Sequence, residues 1–321
     1  VKSTITKGLT IGVIASLAFG TSGALAKPLM EAGWSPAAAV TFRAALAGIL
    51  LLPFALTALR GNWHTVWRAR WRILGMALIG VAGTQLVYFA AVQRIPVSSA
   101  LLVEYLAPLL LVVGVAVATR TLPRIVVIAG AVVAVLGLLL IIGPVGGGDA
   151  LGFVFAGIAA VGCALYYVIA ARPAHGLPPV ALGSFGLLVG SASLGLVGAT
   201  GLVPFVTTFG EVEAAGQTLP WWAPLVVLGA TTAVGYATSI AASQLLGSRL
   251  MAFVGMLEVV FASVFAWITV GEALGVLQVL GGVLILTGIA LVKAERTPSD
   301  LPADLPIEAV PIVESAAAQR P

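Results

Sequence analysis

LLVEYLAPLLLVVGVAV, residues 101 to 117, is long and apolar enough to lie in a membrane, yet it contains a carboxylate, Glu104. Placing an ionisable side chain in hydrocarbon costs a few kcal/mol even on lenient scales. A transmembrane glutamate therefore marks a functional site and requires a partner elsewhere in the chain.

The rest of the chain shares the character of this run. Of its 321 residues 60% are hydrophobic and only 9% charged, far outside the usual range for soluble globular proteins. An α-helix needs about 20 apolar residues to cross roughly 30 Å of hydrocarbon, and lipid-exposed irregular chain is forbidden there. Ten segments qualify: 8–29, 36–59, 73–92, 96–118, 123–143, 150–171, 178–202, 222–246, 249–270 and 274–292. The expectation is an all-α membrane protein of ten transmembrane helices. A net charge of +4 does not point to nucleic acid, because the basic residues collect in short loops where topology accounts for them. Cys163, the only cysteine, falls inside an apolar run, which excludes a disulfide framework and a cysteine-based metal site. No cofactor is expected.

With both termini cytoplasmic, Lys2, Lys7, Arg60, Arg68, Arg70, Arg72, Arg120, Arg124, Arg172, Arg249, Lys293 and Arg296 all lie inside, and only Lys27 and Arg94 outside. That bias sets orientation and supports the helix number, since one missed span would scramble the alternation. Asp149, Glu211, Glu213 and Glu272 then face out, with Trp34, Trp221 and Trp222 at the outer boundary and Trp63, Trp67 and Trp71 at the inner one. A multi-pass protein of the plasma or inner membrane is expected. Lys2 and Lys7, followed by an apolar run and Ala24-Leu25-Ala26, also imitate a signal peptide. The internal repeat favours keeping this run as a span. Beyond it, residues 294–321 have no apolar period and read as a disordered cytoplasmic tail.

A shift of 151 residues sets Trp71 on Trp222, Gln93 on Gln244, Gly130 on Gly281 and Gly137 on Gly288. Near the N-terminus a shift of 144 sets Gly8 on Gly152, and one of 143 sets Pro36 on Pro179. The repeat unit is five helices, residues 1–145 and 146–293. An odd number makes the second copy enter from the opposite side, an arrangement typical of secondary transporters with a site near the midplane. The linker GPVGGGDALG, residues 143 to 152, lacks the Lys-Ser/Thr of a phosphate loop and reads as a hairpin.

The segments FRAALAGILLLPF (42 to 54), YLAPLLLVVGVAV (105 to 117) and LEVVFASVFAWITVGEALGVLQVLGGVLILTGIAL (257 to 291) resemble the EamA-type drug/metabolite transporter superfamily. The resemblance implies two inverted five-helix repeats around a central cavity, helices 5 and 10 peripheral, and efflux of amino acids or other small metabolites. Each family repeat tends to carry a proline followed about a dozen residues on by Gly-Glu. Here the first repeat has Pro108 but Arg120-Thr121, and the second has Gly271-Glu272 but Val259 in place of the proline.

Polar residues inside the spans are few. Thr232, Tyr236, Ser239 and Ser243 recur at i, i+4, i+7 and i+11 on one helical face. The 151-residue shift maps them onto Val81, Gln85, Tyr88 and Val92, with Thr84 adjoining. Such stripes line a shared cavity or supply interhelical hydrogen bonds at about 0.6 kcal/mol each. Only Arg43, Glu104 and Glu258 are charges deep in the spans. Arg43 lies ~10 Å below Pro36 and Glu104 ~12 Å below Pro96, at matching depth, while Glu258 lies ~13 Å in from Arg249. Equal depth pairs Arg43 with Glu104, as a substrate site or a static clamp, because unpaired charges would each be left desolvated. Glu258 is then without a cationic mate and is the candidate for proton coupling. All five tyrosines lie inside helices, suited equally to a pocket and to packing. The candidate substrate-binding and cavity-lining set is Arg43, Thr84, Gln85, Tyr88, Glu104, Tyr105, Tyr166, Tyr236, Ser239 and Glu258.

The function expected is a secondary transporter that exports a small metabolite such as an amino acid by alternating access. Its partners are a small-molecule substrate, the lipid bilayer, and a proton or counter-substrate. A lipid or polyprenyl-carrier flippase of the same fold is the alternative. An intramembrane enzyme is disfavoured, because no histidine lies in the spans and no clustered aspartates or metal-ligand spacing appear.

Overall fold

The computed structural model describes residues 2–143, 149–172, 176–214, 217–270 and 275–294. Glu272, His175, residues 144–148 of the linker and the tail from 295 lie outside the described residues. The chain runs α1 Lys2–Gly20, α2 Ser22–Glu31, α3 Pro36–Leu59, α4 Trp63–Arg68, α5 Arg70–Gly75, a π-helix Met76–Gly83 and α6 Thr84–Val92. There follow α7 Val97–Glu104, α8 Ala107–Thr119, α9 Ile125–Ile142, α10 Ala150–Ala171 and α11 Pro179–Ala199. A hairpin of β1 Glu211–Ala214 and β2 Gln217–Pro220 precedes α12 Trp222–Gly255, α13 Leu257–Val270 and α14 Val276–Ala294.

Helices start and stop where the sequence supplies caps. The Ser35 hydroxyl accepts from the Ala38 N–H and Pro36 opens α3, while the Asp149 carboxylate caps α10 through the Leu151 N–H at 2.8 Å. Helices α3 and α8 end at Arg60 and Arg120, both with left-handed backbone, φ 49° and 53°. Each places a cation at a helix C-terminus, where the dipole favours it.

Nine helical stretches among the described residues are long and apolar enough to cross a membrane. The 14 residues of α13, together with the last turns of α12, cover the ninth span expected from sequence. Differences from expectation lie in the backbone. Spans eight and nine join in one helical run, turned at Gly247, whose φ of 77° suits glycine. Span four breaks at Tyr105–Leu106 and span nine at Met256, where the sequence pattern implied unbroken helices. Span three carries the π-helix, and the loop after α11 forms a hairpin whose Val212 is buried between exposed Glu211 and Glu213.

Large apolar side chains point outward: Val117, Ile125, Val276 and Leu277 are all exposed. Alanine dominates the interior, including Ala15, Ala38, Ala47, Ala107, Ala134, Ala159 and Ala242. Hydrocarbon is as apolar as leucine, so burial of bulk gives no advantage, and small residues let backbones approach. The closest approach joins α9 to α14. A Cβ at Gly130 would lie 2.9 Å from the Gly288 carbonyl oxygen, and one at Gly137 would lie 2.5 Å from that of Gly281. The pairs run in opposite order along the two helices, which are therefore antiparallel.

One end of the bundle is sealed by aromatic rings. Trp34 stacks on Trp221 at 5.9 Å and meets Phe42 and Phe209 edge-on. The Trp34 Nε1–H donates to the Thr208 carbonyl at 2.7 Å, the Ser35 N–H to the Val206 carbonyl at 2.9 Å, and the Val206 N–H to the Ser35 hydroxyl at 3.0 Å. The hairpin loop is thereby tied to the turn before α3.

Candidate functional site

The two breaks are 151 positions apart in the chain: Tyr105 corresponds to Met256 and Leu106 to Leu257. At both, hydrogen bonding shortens by one residue. The Leu106 N–H donates to Val103 and the Leu109 N–H to Leu106, while the Met256 N–H donates to Phe253 and the Val259 N–H to Met256. In span four the cause is local. Pro108 has no N–H for the Glu104 carbonyl, so the helix must restart. Span nine has no proline there. Instead, Gly255 receives the Tyr167 hydroxyl at the position a methyl group would fill, and the Glu258 carbonyl lies against Gly20 of α1, 2.9 Å from where its Cβ would be. A carboxylate flanks each break: Glu104 ends α7, and Glu258 lies in the first turn of α13.

These carboxylates and Arg43 of α3 share one electrostatic neighbourhood. Arg43 is engaged by Tyr236 of α12 and by Glu258. Tyr105 and Glu258 interact. Glu104 interacts with Glu258, and Tyr88 with Glu104. The expected pairing of Arg43 with Glu104 is not formed. Among the described residues neither carboxylate closes into a contact ion pair with Arg43, and the carboxylate that acts on Arg43 is Glu258. Equal depth fixes only the height of two groups in the bilayer; their directions around the helix axes decide which of them meet.

Tyrosines enclose the charges. The rings of Phe19, Tyr236, Tyr166 and Tyr167 form an edge-to-face chain, with successive centroids 5.3, 5.8 and 5.2 Å apart. The Tyr166 hydroxyl donates to the Ser239 hydroxyl at 3.0 Å. Arg43, Tyr88, Glu104, Tyr105, Tyr236 and Glu258 are only half-buried although they lie deep within the bundle. Their accessible surface therefore borders internal space.

Of the ten residues singled out from sequence, Arg43, Tyr88, Glu104, Tyr105, Tyr166, Tyr236, Ser239 and Glu258 fall in this cluster. Gln85 is half-buried one turn from Tyr88. Thr84 turns its hydroxyl back to the Ile79 carbonyl at 2.7 Å, across the π-helix, and packs against Gly162 of α10. Thr232 and Ser243, at the ends of the α12 stripe, likewise bond the carbonyls of Leu228 and Ser239. Cys163 and Tyr167 were not singled out, yet both interact with Glu104 and Glu258. Their signal is the i, i+4 spacing on α10, one face away from Tyr166.

A model of the EamA-like transporter family matches residues 6–143 and 150–294. A relative from Salmonella typhimurium (strain LT2), described as an uncharacterized inner membrane transporter YicL, is 23% identical over 298 residues, covering 90% of this chain and 96% of the relative. A solved crystal structure shares the fold at a TM-score of 0.70, with 21% identity over 90% of this chain and 98% of its own. The matched segments take in both broken spans and every charge of the cluster, and on that basis this multi-pass membrane protein belongs to the EamA-like transporter family.

Proposed function

We propose that this chain is a secondary transporter that exports a small metabolite, such as an amino acid, by alternating access and without covalent chemistry. Residues 1–145 and 146–293 act as two five-helix repeats inserted head to tail, with both termini cytoplasmic. The two family-model segments of similar length, the breaks 151 residues apart and the crossed glycine pairs of α9 and α14 support the repeat. In a two-fold arrangement position 130 meets the counterpart of 137, and 137 the counterpart of 130. Placement in the inner membrane draws on the description of the Salmonella relative.

The observation that carries the proposal is the convergence of Arg43, Glu104 and Glu258, from three separate spans, on one tyrosine-walled internal space. Charges this deep mark a substrate or ion pathway. An amino acid suits it: its carboxylate complements Arg43, its ammonium the glutamates, and its side chain the tyrosine faces. Glu258, linked to Arg43 and Tyr105, is the candidate proton-coupling group. Gln85 borders the same space, Ser239 holds the Tyr166 hydroxyl from a fully buried position, and Thr84 contributes through packing.

The test is to load proteoliposomes with single amino acids and impose a pH gradient. Wild type is expected to drive counter-gradient movement of at least one amino acid. Glu258→Gln is expected to retain exchange and lose the pH dependence, and an unchanged dependence removes the coupling role. Movement of labelled lipid between leaflets with no amino-acid flux overturns the substrate class in favour of a flippase.

A further inference from the structure

Helices α8 and α9 are sequence neighbours joined by the short turn Arg120–Arg124, yet they diverge. Beyond the Tyr105–Leu106 break, α8 leans on α10 and α12, where Ala107 and Leu111 pack with Ala164 and Ala252. Helix α9 is held by its glycines against α14 instead. The result is a cleft of about 510 Å³ on the outer side of the bundle, with none of Arg43, Glu104 and Glu258 in its lining. Its walls are Leu109, Val113 and Val117 of α8 and Ile128 and Val132 of α9, and Arg120 closes one end.

Three features define an occupant. From Leu109 to Arg120 the cleft extends about 16 Å at the rise of a helix, close to the ~15 Å depth of one leaflet. Its interior is apolar, and the adjoining Leu122 is 94% exposed, as suits a side chain bathed in acyl chains. At the end nearest the membrane surface stand two exposed guanidinium groups, Arg120 and Arg124, with no acidic partner among the described residues. Beside them the hydroxyls of Thr119 and Thr121 are paired at 2.6 Å. Arginine matches phosphate through its forked donors.

We propose that this cleft binds an anionic glycerophospholipid, one acyl chain lying between α8 and α9 and the phosphate held by Arg120 and Arg124. The lipid fills the wedge that the break in span four opens, and so braces α8 in its bent course.

The experiment uses the full chain in phosphatidylcholine nanodiscs doped with phosphatidylglycerol that carries a photoactivatable acyl chain. Adducts are expected on peptides covering 109–117 and 128–132 in excess of those on the equally exposed face of α14. Each arginine replaced by glutamine is expected to cut labelling roughly fivefold, while the Arg120→Lys, Arg124→Lys protein keeps most of it. Val113→Trp, at a lipid-exposed position, is expected to remove the adducts with thermal stability otherwise unchanged. Equal labelling by a phosphatidylcholine probe, indifference to the glutamine substitutions, or chain-to-chain adducts in the cleft overturns the proposal.

Discussion

Span four turns at Tyr105–Leu106 and span nine at Met256, and both restart with the same shortened hydrogen bonding, but the two bends are held differently. In span four a proline denies the Glu104 carbonyl its donor, so the bend is written into the covalent chain. In span nine every backbone N–H is present, and the bend depends on neighbours: the Tyr167 hydroxyl against Gly255 and α1 against the Glu258 carbonyl. A bend imposed by proline persists whatever its surroundings do. One imposed by packing changes when the packing changes, and the carboxylate beside it is the one that engages Arg43.

The sharpest way to break this contrast is to neutralise each carboxylate. Glu258→Gln removes the carboxylate charge that acts on Arg43 without a contact ion pair, a loss of about 1–2 kcal/mol in thermal unfolding, and is expected to abolish gradient-driven transport. Glu104→Gln, whose charge is not the one acting on Arg43, is expected to cost less than half as much. Equal losses would erase the distinction between the two sites. Proline transplants come next. Val259→Pro falls in the first turn of α13, where only the bond to Met256 is lost, and is expected to cost about 1 kcal/mol. Val264→Pro, in the interior of the same helix, is expected to cost about 3 kcal/mol.

Gly255→Ala collides with the Tyr167 hydroxyl and is expected to destabilise by about 1–3 kcal/mol. Adding Tyr167→Phe removes the oxygen in the way, and recovery in the double variant is the signature of that contact. The smallest effect belongs to Pro108→Ala, which gives the Glu104 carbonyl a donor and is expected to move stability by less than about 1 kcal/mol. Transport is expected to fall with it as span four straightens. Full activity in that variant would show that the first bend has no role.

Hydropathy located the spans because lipid selects on transfer free energy, which a sequence window reports directly. It is blind to backbone direction within an apolar run. Leu106 and Met256 are as apolar as their neighbours, so the breaks left no trace beyond Pro108, and nothing in MALIGVAG marks a π-helix. Charge scarcity found Arg43, Glu104 and Glu258, yet depth alone gave Arg43 the wrong partner. Helical facing placed Tyr236 and Ser239 on the face of α12 that meets Tyr166, and was incomplete for α10. There the cluster wraps around the helix, so Tyr166 and Tyr167, about 100° apart, both belong to it.

The tie between the hairpin loop and the turn before α3 has an energetic consequence. It comprises three hydrogen bonds, at about 1 kcal/mol each, and one tryptophan stack worth about 1 kcal/mol. Unfastening that tie therefore requires a few kcal/mol, while one elementary charge falling through 100 mV releases about 2.3 kcal/mol. On the proposed alternating-access reading, the clasp is weak enough for a single turnover's driving force, helped by substrate affinity, to undo it, and strong enough to stay shut against thermal agitation.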